Sequence, residues 1–205
     1  MVRLEAPFRV LGWAPLGAGL RRARAIANHQ VFEDDRGATD APRDYLRRLM
    51  RRLALDPRAT VAMMTGASVR RAVYSAAHRG ALAAGAWCTA GCTNALRVGD
   101  RATVADTRPG TINLIVAVNE PLSEGAMAEA LQLATEARVL AVQEAGVIST
   151  RSGKPATGTG TDCIVIAAPI RGQPHPYCGK HTLIGELIGR AALASCMKAL
   201  KWSLR

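Results

Sequence analysis

The stretch TINLIVAVNEPLSEGAMAEALQLATEARVLAVQEAG, residues 111–146, decides the fold class of this chain. Its first eight residues are mostly apolar and rich in β-branched side chains, which predicts a buried strand. A long run of good helix formers follows, with Ser123 placed to cap its start and Gly146 placed to end it. A second apolar run, CIVIAAPI at 163–170, completes a strand–helix–strand unit. If the two strands pair in parallel, their crossover is right-handed.

The rest of the chain alternates in the same way. The helix predicted at 41–55 has Thr39 or Asp40 as its N-cap and Pro42 in its first turn. We therefore predict an α/β (mixed α and β) fold, one compact domain over 1–205, with a central, mostly β-branched sheet and flanking helices. Further strands are predicted at 5–13, 27–34, 60–65 and 83–90, and further helices at 68–80 and 182–202.

Charge is concentrated at the N-terminal end of the sequence. The formal net charge is +11, and residues 1–80 hold 15 Arg against 7 acidic residues. The segment YLRRLMRRL, 45–53, spaces its arginines as one basic face of an amphipathic helix. Such a face binds nucleic acid or anionic membranes, or is simply solvated. Aromatic residues are 4% of the chain and none lies among these arginines, so we favour the solvated face and predict neither partner.

No apolar segment is strong enough to predict a membrane span, and the first residues lack the pattern of a secretory signal. We therefore expect a soluble cytoplasmic protein. Five cysteines fit a reducing compartment without a disulfide framework. Cys88 and Cys92 form one loosely spaced pair without a second pair, so we predict no zinc site and no bound metal.

The segment ATGTGTD, 156–162, places hydroxyls and a carboxylate in front of a buried strand. It lacks the order and the lysine of a nucleotide-binding phosphate loop. Gly158 and Gly160 would let the backbone approach a ligand closely. Alternatively, the loop is a turn whose threonines satisfy its own backbone. Both interpretations fit this segment.

Other polar residues also lie at the ends of apolar elements. Buried polar groups need hydrogen-bond partners, either from the fold or from a ligand. Because several such ends can converge in an α/β fold, we predict one pocket that collects them. The polar residues that we expect to share this pocket are Thr89, Asn94, Thr111, Asn113, Glu136, Lys180, His181 and Glu186. For Glu136, spacing alone allows either a partly buried position or an exposed helix edge.

Four ordered segments resemble the adenosylcobinamide amidohydrolase (CbiZ) family. The order and spacing of these segments carry the likeness, which extends over nearly the whole chain. A fainter resemblance of 111–134 to self-cleaving aminopeptidases covers about a third of the chain with its following loop and strand. The four segments are TAGCTNALRVGD (89–100), GTINLIVAVNEPL (110–122), ATEARVLAVQEAGV (134–147) with ATGTGTDCIVIA (156–167), and GKHTLIGELIGRA (179–191).

The resemblance implies hydrolysis of the amide between a propionyl side chain of the corrin ring and aminopropanol. The product is adenosylcobyric acid, in corrinoid salvage for coenzyme B12 synthesis. The implied partner is a small-molecule corrinoid that carries its own cobalt, with no separate cofactor. The sequence leaves open whether the protein forms a homo-oligomer. The alternatives are a non-catalytic corrinoid-binding protein and a basic nucleic-acid-binding protein.

The resemblance assigns no catalytic residues, so chemistry must suggest them. Amide hydrolysis needs an activated nucleophile, a proton for the leaving amine and donors for the oxyanion. The candidate catalytic residues are Asp162, Glu136, His181 and Lys180. The candidate substrate-binding residues are Thr89, Asn94, Thr111, Asn113, Thr157, Thr159, Thr161 and Glu186.

Overall fold

The structure is a computed structural model that describes residues 1–32, 35–102 and 110–204. Seven strands form one sheet in the order β3-β2-β1-β9-β7-β5-β4, and two short strands form a second. The strands are β1 Val2–Gly12, β2 Gly19–Gln30, β3 Thr60–Thr65, β4 Val73–Arg79, β5 Leu82–Ala90, β6 Ala95–Leu96, β7 Ile112–Val118, β8 Gly158–Thr159 and β9 Cys163–Pro169. The helices are α1 Arg36–Asp40, α2 Pro42–Arg52, α3 Glu124–Glu144 and α4 Leu183–Ser203.

The strand–helix–strand unit at the centre of the sheet is confirmed. Strands β7 and β9 are parallel, with Asn113 opposite Cys163. The Ser123 side chain accepts a hydrogen bond from the backbone N–H of Ala126 at 3.1 Å and so caps α3. Gly146 follows the helix with φ at +68°, a conformation that glycine adopts without strain. The mixed α/β prediction is therefore confirmed.

The sheet curls, so that strands from its two halves pack against each other around a buried cluster. Edge strand β3 meets β7 across the curl, where the Asn113 side chain donates to the carbonyl oxygen of Met64 at 2.8 Å. On the concave side, which we call the inner face, Ile26, Met63 and Val165 belong to one buried cluster. Because side chains alternate along a strand, the opposite side of β7 and β9 packs against α3 and α4. We call that side the helical face.

Helix α2 covers the outside of the β2–β3 pair. Leu46 and Met50 of α2 are buried against Ala27 and Ala62 of these strands. The helix was predicted, but its N-cap was not: Ala41 occupies that position and provides no side-chain cap. Pro42 begins the helix as expected, since its missing N–H costs nothing there.

The prediction of a helix at 68–80 is wrong. A short 3-10 turn at Val69–Arg71 precedes strand β4, which pairs with β5 along its whole length. Alanines fit either structure, and the tight turn at Gly80, with φ at +58°, returns the chain as a hairpin. Tertiary pairing therefore overrides the local helical pattern.

The strand predicted at 27–34 coincides with the end of the longer β2 only over residues 27–30, and residues 31–32 are not part of a strand. Its last part, residues 33–34, lies outside the described residues. The basic segment 19–26 forms the first part of β2 and pairs with β1. None of the helices in the described part of the chain combines the length and the apolar character that a bilayer crossing requires.

Candidate functional site

Asp162, at the start of β9, is held by four donors. Its Oδ1 accepts from the backbone N–H of Ile112 at 2.8 Å and from the Thr159 hydroxyl. Its Oδ2 accepts from the backbone N–H of Thr159 at 2.9 Å and from the Arg138 guanidinium. A carboxylate has about four lone-pair positions, so these donors saturate it. The geometry gives Asp162 the role of a loop brace.

The loop around Asp162 leaves no room for a side chain at Gly158. A Cβ there would overlap the Arg138 guanidinium and the Asp162 carboxylate. Thr157 also belongs to the frame of the loop, because its hydroxyl accepts from the backbone N–H of Val98 at 2.8 Å. Thr159 pairs with Ala95 in the small sheet of β6 and β8. These contacts match the alternative in which the loop satisfies itself.

A different group of polar residues faces the inner side of the sheet. The Asn28 side chain donates to the Thr89 hydroxyl oxygen at 2.9 Å. The Asn113 side-chain amide donates to Asn28 Oδ1 at 2.8 Å and to the Met64 carbonyl at 2.8 Å. Asn28, Thr89 and Asn113 come from β2, β5 and β7, and we call them the inner cluster. Only the curl of the sheet brings β2 to the other two strands.

The inner cluster opens into a small pocket with a volume of about 80 Å³. Asn113 is 1% exposed, and its Oδ1 has no hydrogen-bond partner among the described residues. A buried acceptor without a partner costs free energy unless a ligand or water satisfies it. The pocket is lined by Met1, Val2, Asn28, Val69, Ala72, Trp87, Cys88, Thr89, Asn113 and Ile115. Its lining therefore combines apolar walls with neutral polar groups and has no charged side chain.

Thr111 and Thr161 extend this polar region along the inner face. Their hydroxyl oxygens are 2.7 Å apart, and the Thr161 hydroxyl also donates to the Gly110 carbonyl at 2.9 Å. Asn94 is buried beside Gly110, where a Cβ would overlap the Asn94 side-chain oxygen. Thr89, Thr111, Asn113 and Thr161 thus lie around the start of β7. Asp162 lies close to them in sequence but on the helical face.

Glu136 and Lys180 lie elsewhere, as an ion pair on the helical layer. Lys180 Nζ is 2.5 Å from Glu136 Oε2, and the two side chains are 67% and 41% exposed, respectively. The Lys180 ammonium, and then the Gln132 amide, lower the pKa of Glu136 below its usual value. Successive helix residues are 100° apart, so Glu136 points away from the side on which Arg138 reaches Asp162. Glu136 thus lies at the helix edge and is partly buried there, between the two alternatives that its spacing allowed.

Glu186 and His181 lie at the other end of the sheet. Glu186 Oε1 accepts from Arg79, at the end of β4, at 2.8 Å and from Arg190 at 3.2 Å. The end of β4 adjoins the start of β5, which faces the end of β7. Seven residues of strand, about 20 Å, separate that end from the inner cluster. His181 is exposed just before α4. The structure therefore divides the predicted site residues among separate places.

All five cysteines are free thiols. Burial raises the pKa of Cys92 to about 11 and the pKa values of Cys163 and Cys178 to about 12. A hydrogen bond with Cys196, and then burial, raises the pKa of Cys88 well above its usual value. Nucleophilic cysteines need a thiolate, so these thiols behave as small apolar residues. Within the described residues, no three His, Cys, Asp or Glu side chains group as metal ligands would.

The predicted basic face of α2 meets two arginines from elsewhere. Arg43, Arg47 and Arg51 of α2 line one open groove together with Arg21 and Arg58, and its volume is about 600 Å³. The groove is on the outside of the β2–β3 pair, away from the inner cluster. Most of its arginine side chains are exposed.

Asn28 is the residue that sequence reasoning missed. It lies in the segment ANHQ, inside a strand whose neighbours on both sides are apolar or basic. An Asn in a strand interior is unfavourable unless its amide is used, and that was the available signal. Nothing local connects Asn28 with Asn113, 85 residues away.

The fold and the site define a mixed α/β protein with a neutral pocket rich in carboxamide and hydroxyl groups. The model of the adenosylcobinamide amidohydrolase (CbiZ) family matches residues 1–204. The chain belongs to this family.

The chain is also similar to two individual proteins. An adenosylcobinamide amidohydrolase of Halobacterium salinarum is 27% identical over 193 residues, which cover 91% of this chain and 76% of that protein. An uncharacterised protein of Methanocaldococcus jannaschii is 29% identical over 201 residues, which cover 89% of this chain and 78% of that protein. No solved structure matches the chain.

Proposed function

We propose that the protein hydrolyses the amide that joins a propionyl side chain of adenosylcobinamide to aminopropanol. Water adds across the C–N bond, so that the corrin side chain becomes a carboxylate and aminopropanol leaves as a protonated amine. The corrin product is adenosylcobyric acid, and the role is salvage of incomplete corrinoids. The observation that carries this proposal is the family match over residues 1–204.

The character of the inner face supports a corrinoid substrate. The edge of the corrin ring carries neutral amide side chains, which need hydrogen-bond donors and acceptors more than charges. Asn28, Thr89 and Asn113 supply neutral groups of both kinds. The pocket, at about 80 Å³, is far too small for the ring itself. The ring would therefore lie outside and insert only a side chain.

Polar side chains that are available to act on the substrate lie in two places. One is the inner face, where the Thr111–Thr161 hydroxyl pair lies next to the inner cluster. The other is the helical layer, with the Glu136–Lys180 pair and His181. We place the scissile amide on the inner face, because the unpartnered polar group is there. Asp162 lies on the opposite, helical face and holds the start of β7 in place by accepting a hydrogen bond from the backbone N–H of Ile112.

The test is incubation of the purified protein with adenosylcobinamide, followed by chromatography and mass spectrometry for adenosylcobyric acid and free aminopropanol. Parallel samples contain added divalent metals or a chelator, over the cytoplasmic pH range. We expect both products in equal amounts. Failure of well-folded protein to form either product under all these conditions would overturn the proposal.

A corrinoid-binding protein without catalysis is the second candidate. The observation that favours it is the lining of the pocket, which includes no His, Asp, Glu, Lys or Arg among the described residues. Tight binding of adenosylcobinamide that is recovered intact would support this candidate over the hydrolase. A salt-dependent shift of nucleic acid would instead support the nucleic-acid-binding alternative.

A further inference from the structure

The inner cluster has one acceptor and one donor that the protein does not use. The acceptor is Asn113 Oδ1, which is buried and has no partner among the described residues. The donor is the hydroxyl hydrogen of Thr89, because the Thr89 oxygen accepts from Asn28 and no acceptor for its hydrogen is found in the described part of the chain. Both atoms belong to residues that line the same pocket.

The orientation of the Asn113 amide is fixed by its neighbours. Its Nδ2 donates to two carbonyl oxygens, Asn28 Oδ1 and the backbone oxygen of Met64, both at 2.8 Å. If the amide were flipped, Oδ1 would face the Met64 oxygen, which can only accept, and that contact would be repulsive. The unpartnered atom of this pocket-lining residue is therefore an acceptor.

The spacing of the two free groups suits a carboxamide. Thr89 and Asn113 are directly opposite each other in the antiparallel β5–β7 pair. Opposite residues have Cβ atoms about 5 Å apart, so one planar group in the pocket can reach both side chains. A carboxamide offers an N–H to Asn113 Oδ1 and a C=O to the Thr89 hydroxyl. A carboxylate offers only acceptors and would be repelled by Asn113 Oδ1.

We propose that this pocket is a subsite for one unreacted carboxamide side chain of the corrin edge. Thr89 and Asn113 recognise its C=O and N–H, and Asn28 positions both residues. Trp87 and Ile115 supply apolar walls for the methylene stem of the side chain. The subsite selects carboxamide over carboxylate and fixes the position of the ring on the inner face. This inference rests on the proposed function, because it takes its ligand from the proposed substrate.

The first experiment measures the dissociation constant of adenosylcobinamide by equilibrium dialysis, together with kcat and KM. The variant Thr89→Val keeps the shape and removes the hydroxyl, whereas Thr89→Ser retains the hydroxyl. We expect Thr89→Val to bind about ten- to a hundredfold more weakly, the effect of one lost buried hydrogen bond, and Thr89→Ser to bind within about threefold of wild type. Ser195→Ala, which removes a buried hydroxyl bonded to Ala192 in α4, is the matched control.

Asn113→Ala tests the acceptor in the same way, with Asn119→Ala as its control. Asn119 is at the far end of β7 and also uses its amide in the fold, through the backbone of Ala81 and Ala83. We expect weaker binding only for Asn113→Ala. Because this variant loses the contact with Met64, its melting temperature is recorded. If Asn113→Ala does not fold, the comparison of Thr89→Val with Thr89→Ser decides the result.

The second experiment varies the ligand. Adenosylcobinamide isomers with one peripheral carboxamide hydrolysed to a carboxylate are compared with the parent compound. We expect one isomer to bind wild type at least about tenfold more weakly, with that penalty largely lost in Asn113→Ala, which lacks the repelling acceptor. Equal binding of all isomers to wild type would overturn the subsite, and so would unchanged affinity of folded Thr89→Val. If the variants bind adenosylcobinamide as tightly as wild type and still form products, the subsite is rejected but the hydrolase proposal stands. If wild type binds the isomers selectively but forms no product, the hydrolase proposal is rejected but the subsite stands.

Discussion

Arg138 of α3 and Asp162 at the start of β9 form a buried ion pair, with side chains that are 13% and 6% exposed, respectively. The pair ties the long helix to the loop that leads into the central strand. It also fixes Ile112, because the same carboxylate accepts from the Ile112 backbone N–H at 2.8 Å. The start of β7, where the inner cluster begins, is thus positioned from the helical face.

Asp162→Asn should therefore reduce stability more than turnover. The change removes the charge that pairs with Arg138 and turns one acceptor into a donor that faces other donors. Breaking one partner of a buried ion pair costs about 3–5 kcal/mol. We expect a loss of about 3 kcal/mol in the free energy of unfolding, measured by urea denaturation, with turnover per folded molecule within about tenfold of wild type. Normal melting with a hundredfold loss of turnover would instead make Asp162 catalytic.

Gly185 and Gly189 of α4 should respond to alanine with opposite signs. A Cβ at Gly185 would lie 2.6 Å from the carbonyl oxygen of Cys178 and overlap that of Gly179. At Gly189 nothing lies within 4 Å. We expect Gly185→Ala to lose about 1–3 kcal/mol of stability, from overpacking, and Gly189→Ala to gain up to about 1 kcal/mol, from helix propensity. A stabilised Gly185→Ala would show that the 178–179 backbone can move aside.

Cys88→Ala and Cys92→Ser should keep most of the activity. Because burial raises the pKa of Cys92 to about 11, this thiol is protonated at neutral pH and cannot act as a nucleophile. Activity after treatment with iodoacetamide at about pH 8 should likewise persist, since alkylation requires the thiolate. Loss of activity together with loss of a bound metal in either variant would contradict this prediction.

Glu136→Gln and Lys180→Met should leave the melting temperature nearly unchanged, because exposed ion pairs contribute about 0–1 kcal/mol. Any change in kcat would then report on chemistry and not on folding. We expect kcat within about threefold of wild type, since Glu136 points away from Asp162 and the inner face. A loss of about a hundredfold, typical of a general acid or base, would place the reaction on the helical layer.

His29 should make stability fall as the pH is lowered. Burial, more than any other cause, lowers the pKa of His29 below its usual 6.5, with Asp35 opposing and Arg52 adding to the effect. The unfolded chain therefore binds this proton at a higher pH than the folded chain. Stability contributed by the neutral ring is present above about pH 6.5 and is lost as the pH falls through the folded pKa.

Urea denaturation between pH 7.5 and 5 measures this effect. His29→Gln should flatten the decline of the unfolding free energy over this range. An equally steep decline in His29→Gln would assign the pH dependence to other groups. His29→Gln also removes the 3.0 Å contact between the ring and Tyr45, which changes stability at every pH. Each unfolding free energy is therefore expressed relative to the value of the same protein near pH 7.5.

The sequence by itself determined the elements whose signals are local. Strand β7, helix α3 with its cap at Ser123 and its end at Gly146, and strand β9 follow from apolar period and capping chemistry. The family likeness was also contained in the chain, since it depends on the order of short segments. Strand β4 was missed because SVRRAVYSAAHRG satisfies a helical pattern until β5 is available for pairing.

Only the tertiary structure decided which polar residues share a place. Asp162 follows Thr161 directly, yet the Asp162 carboxylate pairs with Arg138 of α3, whereas the Thr161 hydroxyl contacts that of Thr111. Asn28 joins Asn113 because the sheet curls, and curl is a property of the whole set of paired strands. Lys180 and Glu186 resembled site residues in sequence, but the direction of α4 placed them away from the inner cluster. Local chemistry thus specified which groups are polar, whereas strand pairing, with its fixed alternation and twist, specified which of them meet.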